Sequence, residues 1–296
     1  MAAPPGHLDT IEWAYASGCR RALGFAFAFR TTVAPLGAYL ETLLAAFPVD
    51  GERPAAVYSL LDRGRGAPRR WIGYVDDQRV AFTDRASLAL AYLLWHLNRE
   101  VVEHSSDLLL LHAAGAVEGG GGVVLPGPME AGKTTTVAGL VRAGMRYLSD
   151  EIVAVDPRTL TLQPYPKALT VDAGSWGVLA DLQPRLEDDL VDFVAEQWHV
   201  PPGSLRADAV AAPCPPRIIV APRFRAGAAS RLEPVARAEM LALLASSTFA
   251  FRARPRRNLQ TLAELVMACD CYRLTVGDLD TACVLVSEAL DEAMKR

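Results

Sequence analysis

Between residues 22 and 30, large and small side chains alternate as Ala-Leu-Gly-Phe-Ala-Phe-Ala-Phe-Arg. This period of two predicts a strand with one aromatic face. Pro35 to Phe47 follows with helical spacing, then strands at Val57–Leu61 and Arg70–Val75 joined by the turn-rich Asp-Arg-Gly-Arg-Gly-Ala-Pro of residues 62–68. Arg79–Phe82 adds a further strand, and Asp84 stands where an N-cap belongs, ahead of a long apolar helix reaching Glu103. Residues 1–104 are thus expected to form a small α/β domain, in which no residue looks catalytic.

From Asp107 the pattern changes. Leu108–Val117 and Val123–Leu125 are apolar runs of strand length separated by a glycine run, and a helix is predicted from Lys133 to Ala143. A strand through Tyr147 and Leu148 comes next, and Ile152–Val155 and Leu160–Gln163 flank Asp-Pro-Arg-Thr as a second hairpin. Trp198-His-Val-Pro-Pro-Gly reads as irregular, Arg217–Ala221 as a strand, and Ala236–Leu244, Leu259–Ala268 and Asp280–Ala293 as helices. Residues 105–296 are expected to form the second domain.

Composition narrows the class. Half the residues are hydrophobic and the net charge is −4, so a disordered chain and a general nucleic-acid binder are both excluded. No run approaches the roughly 18 apolar residues of a membrane span. The first basic residue, Arg20, comes too late for the positive start of a signal peptide, so a cytoplasmic, membrane-free protein is expected. Five cysteines without a CxxC pair read as reduced thiols, mostly packed. The 30 basic residues comprise 27 arginines and only Lys133, Lys167 and Lys295, a bias that fits a GC-rich bacterial genome. The clusters Arg63/Arg65/Arg69/Arg70 and Arg252/Arg254/Arg256/Arg257 read first as solvated turns.

One lysine has a local reason to be there. Gly127, Pro128, Met129, Glu130, Ala131, Gly132, Lys133 and Thr134 satisfy GxxxxGK[ST] in full, between a strand and a helix, with Thr135 next in line. In such a loop backbone N–H groups converge on phosphate oxygens, the helix N-terminus adds its positive end, the lysine neutralises the β- and γ-phosphates, and the threonine hydroxyl ligates Mg²⁺. Two features stand near it: His112 in Leu-His-Ala-Ala-Gly on a neighbouring strand, and Asp150-Glu151 after the strand that follows the helix. A carboxylate pair there can divide the labour, one accepting the proton of an attacking hydroxyl and the other holding Mg²⁺.

A histidine-glycine strand, this loop and an acidic pair about sixteen residues after the lysine together resemble the catalytic domain of HPr kinase/phosphorylase and its smaller relatives, over roughly residues 107–170. A weaker likeness extends to Trp198–Pro202 and Tyr272–Asp280. The resemblance implies a P-loop kinase core with a mixed sheet, related to ATP-dependent phosphoenolpyruvate carboxykinase. It further implies ATP and Mg²⁺ as cofactors and phosphorylation of a hydroxyl. By matching positions, Gly127, Gly132, Lys133 and Thr134 would hold triphosphate and metal, Asp150 would be the base and a possible metal neighbour, Glu151 the metal-side acid, and His112 a polar support.

The chain departs from the family at two points. HPr kinases carry two aspartates where Asp150-Glu151 stands, and their Glu-x-Arg-Gly-x-Gly signature is replaced by Gln163-Pro-Tyr-Pro-Lys167-Ala-Leu. HPr recognition and the reverse reaction are therefore not implied, and a peptide serine or small metabolite in a biosynthetic pathway is the expected acceptor. Lys167 could return to the phosphate site as a cationic clamp; the plainer alternative is a surface lysine. Arg252–Arg257 and Trp198/His199 are candidate substrate contacts. Carboxykinase chemistry would need lysines ahead of the loop, and the chain has none there. A non-catalytic ATP-binding regulator is the competing class. A homo-oligomer is compatible with the sequence.

Overall fold

The structure is a computed structural model that describes residues 7–63 and 70–296, so Arg65, Arg69 and most of the 62–68 connector lie outside the described residues. The chain divides into two compact units, Met1–Ser105 with Thr170–Pro201, and Ser106–Leu169 with Pro202–Arg296.

The first unit opens with β1 (Tyr15–Ala16), β2 (Arg20–Ala22) and β3 (Phe25–Thr31). The 22–30 run is therefore not one strand. The chain turns at Leu23, whose φ of 50° breaks the extended run, and β2 folds back antiparallel on β3. Helix α1 (Ala34–Leu44) leads to β4 (Ala56–Asp62), β5 (Trp71–Val75) and β6 (Gln78–Thr83), giving the sheet order β1-β3-β4-β5-β6 with β2 on β3. The aromatic face expected of this region is formed by β3: Phe29 stacks on Tyr58 at 4.8 Å and Phe27 meets Phe47 edge-on at 5.3 Å. Helix α2 (Ala86–His104) closes over the sheet through Leu90, Leu93 and Leu97. Its N-cap is Arg85 rather than Asp84, and no side chain caps it.

In the second unit β7 (Leu109–Glu118) and β8 (Gly121–Pro126) form an antiparallel hairpin. After the glycine loop come α3 (Lys133–Arg142), β9 (Arg146–Ser149), β10 (Ile152–Val155) and β11 (Leu162–Gln163). Both β9 and β10 pair with β7, Ser149 opposite Gly115 and Ile152 opposite His112. They are in effect one strand interrupted by Asp150-Glu151.

The chain then returns to the first unit. β12 (Leu169–Asp172) and β13 (Gln197–Val200) pair with each other, with the short helix α4 (Ala173–Trp176) between them. The undivided second domain expected over 105–296 is corrected here, for a physical reason. Phe193 buries its ring against Trp71 at 4.7 Å, Tyr39 donates to the His199 carbonyl at 3.3 Å, and Glu196 pairs with Arg85. Trp198-His-Val is thus strand rather than irregular chain.

Back in the second unit, β14 (Pro216–Phe224), β15 (Arg231–Pro234), α5 (Arg237–Ser246), α6 (Pro255–Ala268), β16 (Asp270–Val276) and α7 (Leu279–Met294) complete a mixed sheet ordered β11-β10-β7-β8-β14-β16-β15. The loop strand β8 has an antiparallel neighbour, β7, on one side and a parallel one, β14, on the other. Val124 and Ile219 join the α5 and α6 side chains Met240, Leu244, Leu262 and Leu265 in one buried cluster. The alternate positions Val123, Leu125, Ile218 and Val220 are equally buried, as the pleat requires of a sheet covered on both faces. Helices α3 and α7 pack on each other at Gly139, where an added Cβ would stand 2.7 Å from the Cys283 sulfur. Among the described residues no helix is long and apolar enough to cross a membrane.

Candidate functional site

The loop between β8 and α3 has the local geometry that its residues require. Gly132 holds φ +92° as the N-cap of α3, a left-handed conformation that favours glycine, and Glu130 takes φ +62°. No side chain caps the helix, so its first N–H groups, from Lys133 onward, have no acceptor within the helix and point out of its positive end. Lys133 is buried and folds its ammonium back over the loop, donating to the carbonyls of Gly127 at 2.9 Å and Pro128 at 2.8 Å. Thr134 and Thr135 follow in the first turn, half-buried.

On the β7 side of the loop stand the acidic pair and the histidine. The Ser149 hydroxyl accepts from the N–H groups of Glu151 at 3.1 Å and Ile152 at 3.0 Å, which fixes the break between β9 and β10. The break sends its two carboxylates into unlike surroundings. Asp150 is buried, its side chain 1% exposed, with Oδ1 taking a hydrogen bond from Tyr147 Oη at 2.9 Å and the ammonium of Lys167 at 3.0 Å. Glu151 is 34% exposed, and its Oε1 lies 3.8 Å from His112 Nε2, beyond hydrogen-bond distance. The His112 ring leans on Phe249 at 5.8 Å.

These groups share one field. Burial pushes the His112 pKa down and the Lys133 cation lowers it further, against the opposing pull of Glu151 and Asp150. Burial likewise pushes Lys133 down, and the same two carboxylates oppose it. The Tyr147 phenol is held far above its ordinary value, first by burial and then by Asp150, so it stays a donor.

Lys167 is brought to the acidic pair: its ammonium lies 3.0 Å from Asp150 Oδ1 and 3.0 Å from the Ala168 carbonyl. The side chain is only 11% exposed, so it is not a surface lysine. Burying Asp150 as an anion calls for such a partner. Arg254 and Arg257 are also committed: both donate to the Ser106 carbonyl, at 2.8 and 3.0 Å, and tie the start of α6 to the chain entering β7. Trp198 and His199 belong to the first unit, Trp198 stacked on Trp176 at 4.9 Å.

Tyr147 is the residue the sequence reading missed. A tyrosine ending up fully buried needs an acceptor for its hydroxyl, and its place two residues before Ser149-Asp150 was the available signal.

A divalent cation can be weighed against the donor set. Among the described residues no group of three or more His, Cys, Asp or Glu side chains is arranged to hold a metal by itself. Thr134 and Glu151 offer hard oxygen donors, and Mg²⁺ that leans on phosphate oxygens uses only one or two carboxylates. That donor set fits Mg²⁺.

No family model matches the chain, and no curated protein matches it. Among solved structures it is similar to the Hpr(Ser) kinase/phosphatase from Coxiella burnetii, at 12% sequence identity and a TM-score of 0.29, over 63% of this chain and 97% of that one.

Proposed function

We propose that the second unit is an ATP-dependent phosphotransferase with a P-loop kinase core, passing the γ-phosphate to a hydroxyl of a peptide serine or a small metabolite. The observation that carries the reading is the complete phosphate loop, with Gly132 left-handed and Lys133 buried over its carbonyls, in the electrostatic reach of an acidic pair. The loop N–H groups and Lys133 bind and orient the triphosphate; Lys133 exchanges its two carbonyl acceptors for phosphate oxygens. Thr134 would hold Mg²⁺ together with the phosphate oxygens, and the metal would supply charge neutralisation between the phosphates when bound.

The acceptor hydroxyl loses its proton to a carboxylate as its oxygen bonds to the γ-phosphorus and ADP leaves. Glu151 is the exposed carboxylate and His112 stands beside it, so we assign the acceptor side to Glu151. Asp150, engaged by Tyr147 and Lys167, is a positioning residue that fixes the break from which Glu151 projects. This reverses the order of importance expected from the sequence.

The test is transfer of labelled γ-phosphate to hydroxyl-bearing peptides and metabolites, with ATP binding measured in parallel. Lys133→Ala is expected to abolish both, and Glu151→Gln to remove transfer while sparing binding. Transfer that survives Glu151→Gln but not Asp150→Asn returns the base to Asp150. ATP binding without transfer to any acceptor replaces the reading with a nucleotide-responsive regulatory protein.

A further inference from the structure

Helix α2 carries apolar residues on two faces, and the fold of the first unit uses only one of them. Leu90, Leu93 and Leu97 face the sheet, while Leu88, Tyr92 and Trp95 lie on the opposite side of the helix, 43%, 41% and 55% exposed. Positions 88, 92 and 95, continued by Arg99, are spaced four, three and four residues apart, the repeat of a helix-pairing seam. The rings of Tyr92 and Trp95 lean on each other at 5.7 Å, and the Arg99 guanidinium stands over the Trp95 ring, 5.9 Å from its centroid. Tyrosine, tryptophan and arginine are the residue types that carry most of the binding energy at protein interfaces.

The order of residues along the seam fits one occupant. It runs Asp84, Leu88, Tyr92, Trp95, Arg99, with the acid exposed just ahead of the helix and the exposed base at the far end. We propose that α2 pairs antiparallel with the α2 of a second copy of this chain, in a symmetric dimer whose two-fold axis passes at Tyr92. That arrangement sets Asp84 of each copy against Arg99 of the other, Leu88 against Trp95, and Tyr92 against its own counterpart. Arg99 already donates to Glu100 at 2.9 Å, and its five N–H donors leave room for a second carboxylate. An unrelated helix would need its own base, rings and acid in the matching order, whereas a second copy supplies them by symmetry. The seam is about three turns long. Such a contact is small, below about 1,200 Å² in total, so the association is expected in the micromolar range. This inference lies outside the phosphate-loop reading and does not depend on it.

The experiment is sedimentation velocity of the full chain between about 1 and 100 μM. Wild-type protein is expected to pass reversibly from monomer to dimer across that range. Trp95→Gln, at an exposed position, is expected to weaken dimerisation by about tenfold or more, the scale of a lost interface anchor. Asp84→Arg and Arg99→Asp each set like charges against one another across the axis, and each is expected to weaken it by about tenfold. The double variant, with the charges exchanged, is expected to recover most of that loss. Arg99→Asp also meets Glu100 and Glu103 on its own helix, a penalty that the double variant keeps. Positions 84 and 99 stand roughly 20 Å apart along one helix, so the recovery can only come across the seam. A wild type that stays monomeric throughout overturns the proposal and leaves the seam to a different protein. Dimerisation untouched by Trp95→Gln, or a double variant no better than its singles, overturns it too.

Discussion

The Lys167 ammonium lies 3.0 Å from Oδ1 of Asp150, both side chains nearly sealed from solvent, with the Tyr147 hydroxyl donating to the same oxygen. A buried ion pair contributes little net stability when intact, because desolvating two charges offsets most of their attraction, but removing one partner strands the other. Lys167→Met is therefore expected to cost about 3–5 kcal/mol in urea unfolding. Asp150→Asn should relieve part of that loss in the double variant. Additive losses would mean that the pair is not coupled.

Gly132→Ala separates conformation from space. The nearest atom to an added Cβ is 3.8 Å away, so nothing blocks it, yet φ +92° is costly for any residue with a Cβ. The expected loss is about 1–2 kcal/mol in thermal or urea unfolding. Binding of tripolyphosphate should fall with it, because the N–H groups that follow are re-aimed. Unchanged stability would show that the loop relaxes to another conformation.

The thiols give a chemical map of packing. Cys214, Cys269, Cys271 and Cys283 are buried, and burial pushes Cys214 up to about 11 and Cys269 and Cys283 to about 12. At pH 8 the native protein is expected to react with iodoacetamide at Cys19 alone, and there slowly, since burial raises that thiol too. All five should react in denaturant. Peptide mapping that finds Cys283 alkylated in the native protein would contradict the α3–α7 contact.

In the first unit, burial and the Arg99 cation beside it push His96 below its ordinary value. A histidine with a depressed folded pKa favours the neutral fold. Its contribution is whole above the unfolded pKa of about 6.5. It is lost as pH falls from there through the folded value. Stability is expected to drop below pH 6.5, and His96→Phe should flatten that part of the curve. An unchanged slope would move the effect to other groups.

The contiguous features were legible in the sequence. The loop from Gly127 to Thr134 carries its own strand, turn and helix signals, so the 133–142 helix was found within a residue of its end. What could not be read was set by distant partners. Trp198-His-Val looks irregular until residues 169–172 supply a strand to pair with, and Asp84 looks like a cap although the helix begins beyond it. Lys167 is the sharpest case. Its local sequence, between a proline and an alanine, says nothing of Asp150, and only the fold of β9 brings the two together.

The contact between Gly139 and Cys283 has a consequence in time. Helix α3, which carries Lys133, is braced by a segment some 140 residues further along the chain, and β8 has its parallel neighbour only once β14 exists. During synthesis the loop leaves the ribosome early and must wait unbraced. If the loop binds nucleotide as proposed, that affinity is expected to arrive late, as α7 docks, so that ligand binding reports on a finished second unit.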